Sequence, residues 1–384
     1  MIGAGVLGVS VAARLAEAGV GVTLLERAGP GRAATRSSFA WLNANDKAPR
    51  AYHDLNHAGM RAWAGLAARL GGAAWYRPAG NLEWAADAAA RARLTARVRR
   101  LTGWGYPARL VGAAEAAELE PSLRLPWPAP DLAWFPDEGY LLTEPLVSHL
   151  AQVAAGHGAT VLTGEPGHVV GLDAVMGAGD GGTGRQVGGG AVWAVRTAAG
   201  RVIPADVVVC CTGRWVPELA ALAGAASPVP LVPWAEPGAA APGLVVQVGP
   251  VTPPGPARVV HAPDVYLRPH ADGLMHLEAP DAAVDLHTPE ADLRRWADEL
   301  LRRARRVVRG LAGAAVVGYR VCVRPMPADG RSIVGWLPGA GRLYVAVTHS
   351  GVTLAAHLAR LITAELVSGA ASADLAPYRP SRYG

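Results

Sequence analysis

The chain has 384 residues, which is enough for about two domains. Apolar residue types make up 51% and charged types 17%, so a sizeable core can be buried and general disorder is excluded. The formal net charge is +5, but Lys47 is the only lysine, which argues against a lysine-rich nucleic-acid patch. Three cysteines are too few for a disulfide framework, and this fits a reducing, cytoplasmic setting.

The chain opens on a GxGxxG motif whose residues are Gly3, Gly5, Val6, Leu7 and Gly8. Gly3 permits a tight turn, Gly5 lets the backbone approach a pyrophosphate, and Gly8 lets a helix pack closely on a strand. A helical pattern follows over 9–18, and a buried-strand pattern ends in Glu26, where a carboxylate accepts hydrogen bonds from a ribose hydroxyl. This combination predicts a dinucleotide site at the N-terminus of the first helix.

The strand that normally precedes such a motif has about five or six residues, but only Met1 and Ile2 precede it here. We expect the complete protein to start a few residues upstream, and we expect the chain as given to be less stable and to hold its dinucleotide less tightly. An in-frame stop codon directly before Met1 would contradict this expectation.

The remaining chain alternates helical and strand patterns. Helices are predicted over 51–70, 85–101, 113–119, 144–156, 289–310 and 353–367. Strands are predicted over 75–84, 160–162, 192–197, 201–203, 206–211, 244–248, 265–267, 274–277, 316–323 and 343–347. The Pro-rich segment 126–136 is predicted to be irregular, and the Gly-rich segment 173–190 is predicted to be a mobile hairpin tip.

Two of these patterns carry more specific predictions. The apolar run 206–211 ends in Thr212 and Gly213, which indicates a buried parallel strand that turns abruptly. The basic cluster 302–309 lies beside apolar residues and predicts the solvated face of an amphipathic helix, so no nucleic-acid partner is expected. The sequence contains no run of 18 apolar residues, so no transmembrane helix is predicted.

Nucleotide-type elements lie at the start, middle and end of the chain, with hairpin-rich segments between them. The pattern predicts an α/β fold with a Rossmann-like dinucleotide-binding domain, its first strand apparently truncated. An α+β substrate domain with a mixed or antiparallel sheet interrupts this domain. The dinucleotide-binding domain is expected to comprise 1–80, 140–230 and 320–384, and the substrate domain 81–139 and 231–319.

A further series of segments follows one order along nearly the whole chain: GAGVLG with Glu26-Arg27, RSS at 36–38, DEGY at 137–140, ADVVVCCTG at 205–213, YLRP at 266–269, RPMPADG at 324–330 and HSGVTL at 349–354. Taken together, they resemble the D-amino-acid oxidase, glycine oxidase and sarcosine oxidase superfamily of FAD-dependent enzymes. The resemblance implies an extended FAD with its isoalloxazine ring between the two domains. It does not indicate one substrate.

The resemblance also implies which residues contact FAD: Gly3, Gly5, Val6, Leu7, Gly8, Glu26, Arg27, Ser37, Ser38, Val169, Thr212, Gly213, Cys322, Ser350, Gly351, Val352 and Thr353. The segment from Ser350 to Thr353 opens the last helix, so its free N–H groups can face the flavin N1/C2=O edge and favour the anionic reduced flavin. Ser350 or Thr353 can also serve simply as a helix cap.

Arg324 matches the arginine that binds the substrate carboxylate in the glycine-oxidase-like members, and a guanidinium suits a carboxylate bidentately. The alternative is a structural salt bridge, for example to Asp329. Tyr266 and Arg268 are expected on a substrate-domain strand that lines the same cavity, with strand packing as the alternative. Two histidines, His276 and His349, are candidates for a polar role or for ordinary structural hydrogen bonding.

Cys322 lies two residues before Arg324, where the sarcosine-oxidase branch carries the cysteine that bonds covalently to the flavin. That bond needs a thiolate, which positive charge from Arg320 and Arg324 would favour. The neighbouring residues resemble the noncovalent branch, so noncovalent FAD is expected and the Cys322 linkage stays open. Sarcosine-oxidase-type enzymes also place a lysine above the flavin for reaction with oxygen, whereas Lys47 lies in the early segment, away from the matching strand.

The resemblance implies oxidation of the C–N bond of a small amine or amino acid by hydride transfer to flavin N5, giving an imine that hydrolyses. The electron acceptor is expected to be oxygen, a quinone or a carrier protein. One alternative is a flavin dehydrogenase subunit, and another is a noncatalytic protein that retains the FAD fold. A flavin hydroxylase would use the same glycine motif but needs a second family motif that is not found here. A nicotinamide-dependent dehydrogenase leaves the strand that ends in Thr212-Gly213 and the helix start at Ser350-Gly351 unexplained. No metal site is expected.

Overall fold

The computed structural model describes residues 1–126, 128–175, 193–225 and 228–384. The helices in these ranges are α1 (Val6–Glu17), α2 (Ala34–Ser37), α3 (Arg50–Arg69), α4 (Ala88–Gly103), α5 (Ala113–Leu119), α6 (Thr143–Gly156), α7 (Val216–Leu222), α8 (Glu290–Val307) and α9 (Gly351–Ser368). Most of the Gly-rich segment 173–190, predicted as a hairpin tip, lies outside the described residues.

The strands in the same ranges are β1 (Thr23–Glu26), β2 (Trp41–Leu42), β3 (Tyr76–Arg77), β4 (Asn81–Glu83), β5 (Arg109–Val111), β6 (Leu132–Phe135), β7 (Gly139–Leu141), β8 (Thr160–Thr163), β9 (Val169–Ala174), β10 (Trp193–Thr197), β11 (Val202–Ala205), β12 (Val208–Cys210), β13 (Pro242–Gly249), β14 (Val259–His261), β15 (Tyr266–Pro269), β16 (Met275–Glu278), β17 (Ala315–Val323), β18 (Ile333–Trp336) and β19 (Leu343–Val347).

The first main sheet has the Rossmann-like arrangement expected from the glycine motif. β8 pairs with β1 and β12 pairs with β19, both in parallel, while β18 joins β19 antiparallel at the edge. Ile2 bridges the two parallel pairs, since it lies beside both Leu25 and Cys210. The wholly buried run in β19 and the buried β12 fit strands covered on both faces. The prediction of a buried parallel strand in 206–211 is therefore confirmed.

The second main sheet is eight-stranded and mixed, in the order β17-β13-β16-β15-β14-β4-β6-β5. β14 and β4 run parallel, and the other neighbouring pairs are antiparallel. The prediction of an irregular segment over 126–136 is wrong, because Leu132–Phe135 forms β6 with every residue buried. The prolines on both sides of this short apolar run favour irregular structure, so the sequence pattern did not indicate a strand.

Helix α8 packs against this second sheet in the orientation that its sequence predicted. Leu300 and Leu301 are buried on its inner face. Arg302 and Arg303 lie on the other side and both pair with Glu299. The expectation of a solvated basic face is confirmed. Within the described ranges, no single helix is long and apolar enough to cross a membrane. Helix α9 and the segment 373–383 reach the length and composition of a membrane span only when taken together, and the chain bends sharply between them.

One face of the second sheet positions the residues discussed below. Val245, Glu278, Tyr266 and His261 are successive partners across β13, β16, β15 and β14. Directly paired residues point to the same face of a sheet. These four side chains therefore form a row, which we call the sheet row. β17 lies at the edge beside β13 and ends next to Arg324.

Candidate active site

A groove of about 620 Å³ runs along the carboxyl ends of the strands in the first sheet. The glycine turn, the end of β1 and the residues after β12 line it together with the first turn of α9. The expected FAD contacts found along the groove are Gly3, Gly5, Val6, Leu7, Glu26, Arg27, Ser38, Val169, Thr212, Gly213, Cys322, Gly351 and Val352. The opening and closing segments of the predicted cofactor site thus meet in one groove.

The glycine turn is too tight for side chains. Gly3 has φ of +95°, and a Cβ there would lie 2.6 Å from the carbonyl oxygen of Cys211. A Cβ on Gly8 would lie 1.9 Å from the carbonyl oxygen of Gly3. Gly8 therefore allows α1 to pack against the turn, while Gly5 faces the groove itself. This close backbone fits the pyrophosphate of a dinucleotide.

Glu26 fixes the turn while facing the groove. Its Oε2 accepts a hydrogen bond from the Ala4 N–H at 2.9 Å, and its Oε1 accepts one from the Ala28 N–H at 3.0 Å. A carboxylate oxygen has more than one acceptor position, so these bonds leave room for a ribose hydroxyl. The sequence predicted the position of Glu26 but not its bonds to the backbone.

The hydroxyls of the segment 35–38 differ in their directions. Thr35, which the sequence analysis missed, lines the groove and accepts a hydrogen bond from the Val6 N–H at 3.0 Å. Ser38 also lines the groove. The Ser37 hydroxyl instead donates to the Ala33 carbonyl at 3.4 Å on its own helix. The helical turn of α2 thus separates two neighbouring serines that the motif presents together.

The N-terminus of α9 lies at the inner end of the groove and has no side-chain cap. The Ser350 hydroxyl accepts from the hydroxyl of Tyr52 at 3.3 Å, and the Thr353 hydroxyl donates to the Trp41 carbonyl at 3.3 Å. The alternative of ordinary capping by either residue is therefore not observed. The first-turn N–H groups and the positive end of the helix dipole are left to attract a negatively charged group.

A second cavity of about 620 Å³ adjoins the groove. The two share the residues Ser38, Cys322, Arg324, His349 and Val352. The sheet row lines this second cavity, together with Ser350 and Thr353 from α9. A molecule in the groove and a molecule in the cavity therefore lie in contact with the same wall. We call this second space the substrate cavity.

Arg324 lies at the junction and is held by the main chain. Its Nε donates to the Ala241 carbonyl at 3.0 Å, and its Nη2 donates to the Ala240 carbonyl at 3.1 Å. The alternative salt bridge to Asp329 is not formed, because Asp329 pairs with Arg331 and Arg382. Nη1 takes no part in these bonds and is the nitrogen available to a ligand.

Tyr266 and His349 both line the substrate cavity, and both are uncharged there. Burial raises the pKa of Tyr266 to about 12, so its hydroxyl keeps its proton and can donate a hydrogen bond. Burial lowers the pKa of His349 to about 3, assisted by the positive charges of Lys47 and Arg324. The neutral imidazole offers one donor and one acceptor.

Arg268 differs from its expected position. It lies on the same face of β15 as Tyr266, but it is fully buried under Phe39 and Tyr140. Its Nη2 contacts Nδ1 of His276 at 2.9 Å, and its Nε donates to the Phe39 carbonyl. Burial lowers the pKa of Arg268 to about 10. Residues distant in sequence cover this part of the strand, which the local pattern does not show.

Cys322 lines both the groove and the substrate cavity, but its surroundings favour a thiol. Burial raises its pKa to about 12, with Glu278 acting in the same direction. Arg320, which the sequence analysis considered as a source of positive charge, is exposed. The thiolate that covalent attachment needs is therefore disfavoured.

A buried network that the sequence analysis missed supports the cavity wall. Nδ1 of His261 lies 2.7 Å from Oδ1 of Asn81, whose amide donates to Glu138 at 3.0 Å. Trp41 Nε1 and the Tyr106 hydroxyl also donate to Glu138, at 3.0 and 2.7 Å. Burial raises the pKa of Glu138 to about 7. The only local signal was the DEGY segment, which contains Glu138.

Lys47 also lines the substrate cavity, although it lies on a different segment from the strand on which the sequence analysis looked for a lysine. Together, a groove on a Rossmann-like sheet and an adjoining polar cavity on a second sheet are typical of dinucleotide-dependent enzymes. The family model for the DAO-type FAD-dependent oxidoreductases matches residues 1–365, and the chain belongs to this family.

Solved structures with this fold include several amino-acid-oxidising enzymes. Glycine oxidase from Geobacillus kaustophilus has a TM-score of 0.80 and 23% identity, and the match covers 100% of this chain and 98% of that chain. L-proline dehydrogenase from P. horikoshii has a TM-score of 0.78 and 18% identity, covering 100% and 96%. Iminodiacetate oxidase from Chelativorans sp. BNC1 has a TM-score of 0.76 and 24% identity, covering 99% and 98%. These similarities confirm the predicted fold class.

A curated relative is a bifunctional protein of tRNA 5-methylaminomethyl-2-thiouridine biosynthesis from Chromohalobacter salexigens. It is 30% identical to this chain over 293 residues, which cover 75% of this chain. The chain spans only 37% of the length of that relative.

Proposed function

We propose that this protein oxidises the C–N bond of an amine or amino acid, with FAD as a noncovalently bound cofactor. The observation that carries the proposal is the shared wall of the groove and the substrate cavity, which contains Arg324 and the start of α9. The solved structures with the same fold include oxidases and a dehydrogenase named for glycine, iminodiacetate and proline.

The groove residues fit FAD at both of its ends. The tight turn around Gly3 and the carboxylate of Glu26 suit the pyrophosphate and the adenosine ribose. The uncapped N-terminus of α9 suits the flavin edge that becomes negative on reduction. Bound FAD supplies a hydride acceptor at N5 for the carbon beside the substrate nitrogen, leaving an imine that water hydrolyses.

The chain's own residues bind and orient the substrate. Nη1 of Arg324 donates to the substrate carboxylate, and Tyr266 offers a second donor from the sheet row. The amine reacts in its neutral form, which is the form that releases hydride. No dedicated protein base is required for this reaction.

The charge distribution favours a small-molecule substrate over RNA. The basic helix α8 is the strongest positive segment, but five of its six arginines are paired with acids, and Arg305 donates to main-chain carbonyls. Arg303 pairs with Asp281 and Glu299, and Arg306 pairs with Asp264. A surface that attracts phosphate groups keeps its cations unpaired. The role of the tRNA-related relative is therefore not transferred to this chain.

The test is anaerobic reduction of the FAD-loaded protein by a panel of D- and L-amino acids, N-methylated amino acids and simple amines. We expect the yellow flavin absorbance to bleach with at least one C–N compound. A protein that takes up FAD but bleaches with none of them, or that takes up no FAD, contradicts the proposal and favours a noncatalytic protein. The rate of re-oxidation by air, compared with a soluble quinone, separates an oxidase from a dehydrogenase subunit.

A further inference from the structure

Lys47 is held at the wall of the substrate cavity by an anchored loop. The loop follows β2, and the Asn43 N–H donates to the Thr353 hydroxyl at 3.4 Å. The Asn45 amide donates to Glu138 at 3.1 Å, and the Ala44 carbonyl lies 2.7 Å from Nδ1 of His53. All three loop residues are buried. The backbone that carries Lys47 is therefore fixed before any ligand binds.

Lys47 lines the cavity and is close enough for its charge to act on a residue of the cavity wall. Lys47 and Arg324 both act on His349, which lies between the groove and the cavity. Within the described part of the chain, no carboxylate oxygen lies within 4.0 Å of the Lys47 ammonium. A cation that points into a cavity without an acidic partner attracts an anionic ligand group.

The acids of the cavity serve other groups. Glu278 and Arg324 lie on either side of Gly243. A Cβ built on Gly243 would lie 3.7 Å from Glu278 Oε1 and 3.8 Å from Arg324 Nη2, so the two charged groups are neighbours. Asp285 is half-buried and accepts hydrogen bonds from the N–H groups of Gly238 and His287. Neither carboxylate neutralises Lys47 by direct contact. The cavity thus has two separate cations for a ligand, of which Arg324 already faces an acid.

We propose that Lys47 binds a second anionic group of the substrate, so that the preferred substrates are amines or amino acids with two carboxylates. This inference rests on the proposed function, in which Arg324 binds the first carboxylate. Arg324 and Lys47 both line this cavity of about 620 Å³, so a single ligand within it can be approached by both cations. Charge-assisted hydrogen bonds of this kind are among the stronger polar contacts in binding sites.

The first test measures binding without turnover. Glutarate and butyrate differ by one carboxylate and contain no C–N bond, so calorimetric titration of the FAD-loaded protein reports binding alone. We expect glutarate to bind more tightly than butyrate. The ratio of the butyrate Kd to the glutarate Kd is expected to fall about tenfold in Lys47→Met. Lys47→Arg keeps the charge and is expected to retain most of the ratio. An unchanged ratio in Lys47→Met overturns the inference.

The second test uses iminodiacetate and N-methylglycine, which also differ by one carboxylate. In Lys47→Met, the loss of kcat/KM for iminodiacetate is expected to exceed the loss for N-methylglycine about tenfold, mainly through KM. Equal losses would instead show that Lys47 does not distinguish the second carboxylate. A wild-type protein that bleaches with no amine contradicts the proposed function, whereas the glutarate ratio still decides the role of Lys47.

Discussion

The orientation of Arg324 is fixed before any substrate arrives. Three main-chain carbonyls accept hydrogen bonds from its guanidinium: Ala241 from Nε, and Ala240 and Pro242 from Nη2. A guanidinium held in this way loses little side-chain entropy when it binds a carboxylate. The same hydrogen bonds limit the contact between the guanidinium and a substrate carboxylate, because Nη1 is the nitrogen left to donate. The bidentate contact expected from the sequence therefore needs a second donor such as Tyr266.

The first prediction concerns the carboxylate specificity of Arg324. Arg324→Met is expected to lower kcat/KM for N-methylglycine by about tenfold to a hundredfold, because a hydrogen bond to a charged group is lost. The loss for N-methylethylamine, which lacks the carboxylate, is expected to be much smaller. Steady-state kinetics with both compounds checks this, with the exposed Arg342→Met as the control. Equal losses for both compounds would contradict the carboxylate role.

The second prediction concerns the attachment of the flavin. Because burial raises the pKa of Cys322 to about 12, its sulfur remains protonated at neutral pH. We expect acid precipitation of the yellow holoprotein to release the colour into the supernatant. Cys322→Ser is expected to give the same result. Colour that stays in the wild-type pellet and leaves the Cys322→Ser pellet would establish a covalent bond.

The third prediction concerns the buried carboxyl of Glu138. Its pKa is about 7 in the folded protein and 4.5 in the reference state, since burial disfavours the charged form. Between these values the unfolded chain releases the proton and the folded chain keeps it. The free energy of unfolding therefore falls as the pH rises through this window, by roughly 3 kcal/mol in total.

Glu138→Gln is expected to remove this pH dependence, because a glutamine side chain does not titrate. The variant is expected to fold, because the amide keeps one strong acceptor and can donate to the Tyr106 hydroxyl. Urea unfolding at several pH values between 4.5 and 7 checks the slope. The exposed Glu165→Gln is the control and is expected to keep the wild-type slope. A Glu138→Gln slope that equals the wild-type slope would show that Glu138 does not titrate in this window.

At the scale of elements, the crossing of α3 and α9 positions the uncapped helix N-terminus. Gly59 on α3 lies against the first turn of α9, where a Cβ would come 2.4 Å from the carbonyl oxygen of Thr353. The Trp63 indole of the same helix donates to the Val352 carbonyl at 2.8 Å. The two helices thus set the position of the first-turn N–H groups of α9 at the groove.

The fourth prediction follows from this crossing. Gly59→Ala forces α3 and α9 apart, so we expect a loss of about 1–3 kcal/mol in the free energy of unfolding and weaker FAD binding. Gly65→Ala on the same helix is the matched control, because its Cβ would lie 3.7 Å from the nearest atom, on the Arg69 side chain. Chemical unfolding and FAD titration check both variants. Equal effects at the two sites would contradict the argument.

At the scale of the whole molecule, the groove draws on segments from both ends of the chain. The glycine turn, the residues after β12 and the start of α9 each contribute to it. A ligand that spans such a groove binds the folded state and not the unfolded chain. Its binding therefore stabilises the complete fold.

The fifth prediction is a rise in the thermal midpoint with FAD. At a concentration one hundred times Kd, binding adds about 2.7 kcal/mol, which corresponds to roughly 3 °C for a chain of this size. NAD at the same concentration is the control and is expected to give a much smaller shift. Differential scanning calorimetry checks the difference. An equal shift with both compounds, or none with FAD, would contradict the assignment of the groove.

The sequence by itself determined the parts that depend on local spacing. The glycine turn with Glu26, the buried parallel strand over 206–211 and the amphipathic helix α8 each follow from the order of a few neighbouring residues. The expected fold class follows from these local elements taken in order. The cofactor groove required only that these elements meet at the carboxyl ends of the first sheet.

The tertiary structure alone decided which side chains face the substrate cavity. Lys47 reaches it because an anchored loop turns inward, and His261 and Glu278 reach it because strand register aligns them with Tyr266. Arg268 shares a strand face with Tyr266 but is covered by Phe39. Pairing and coverage depend on residues far apart in the chain, so local periodicity carries no information about them.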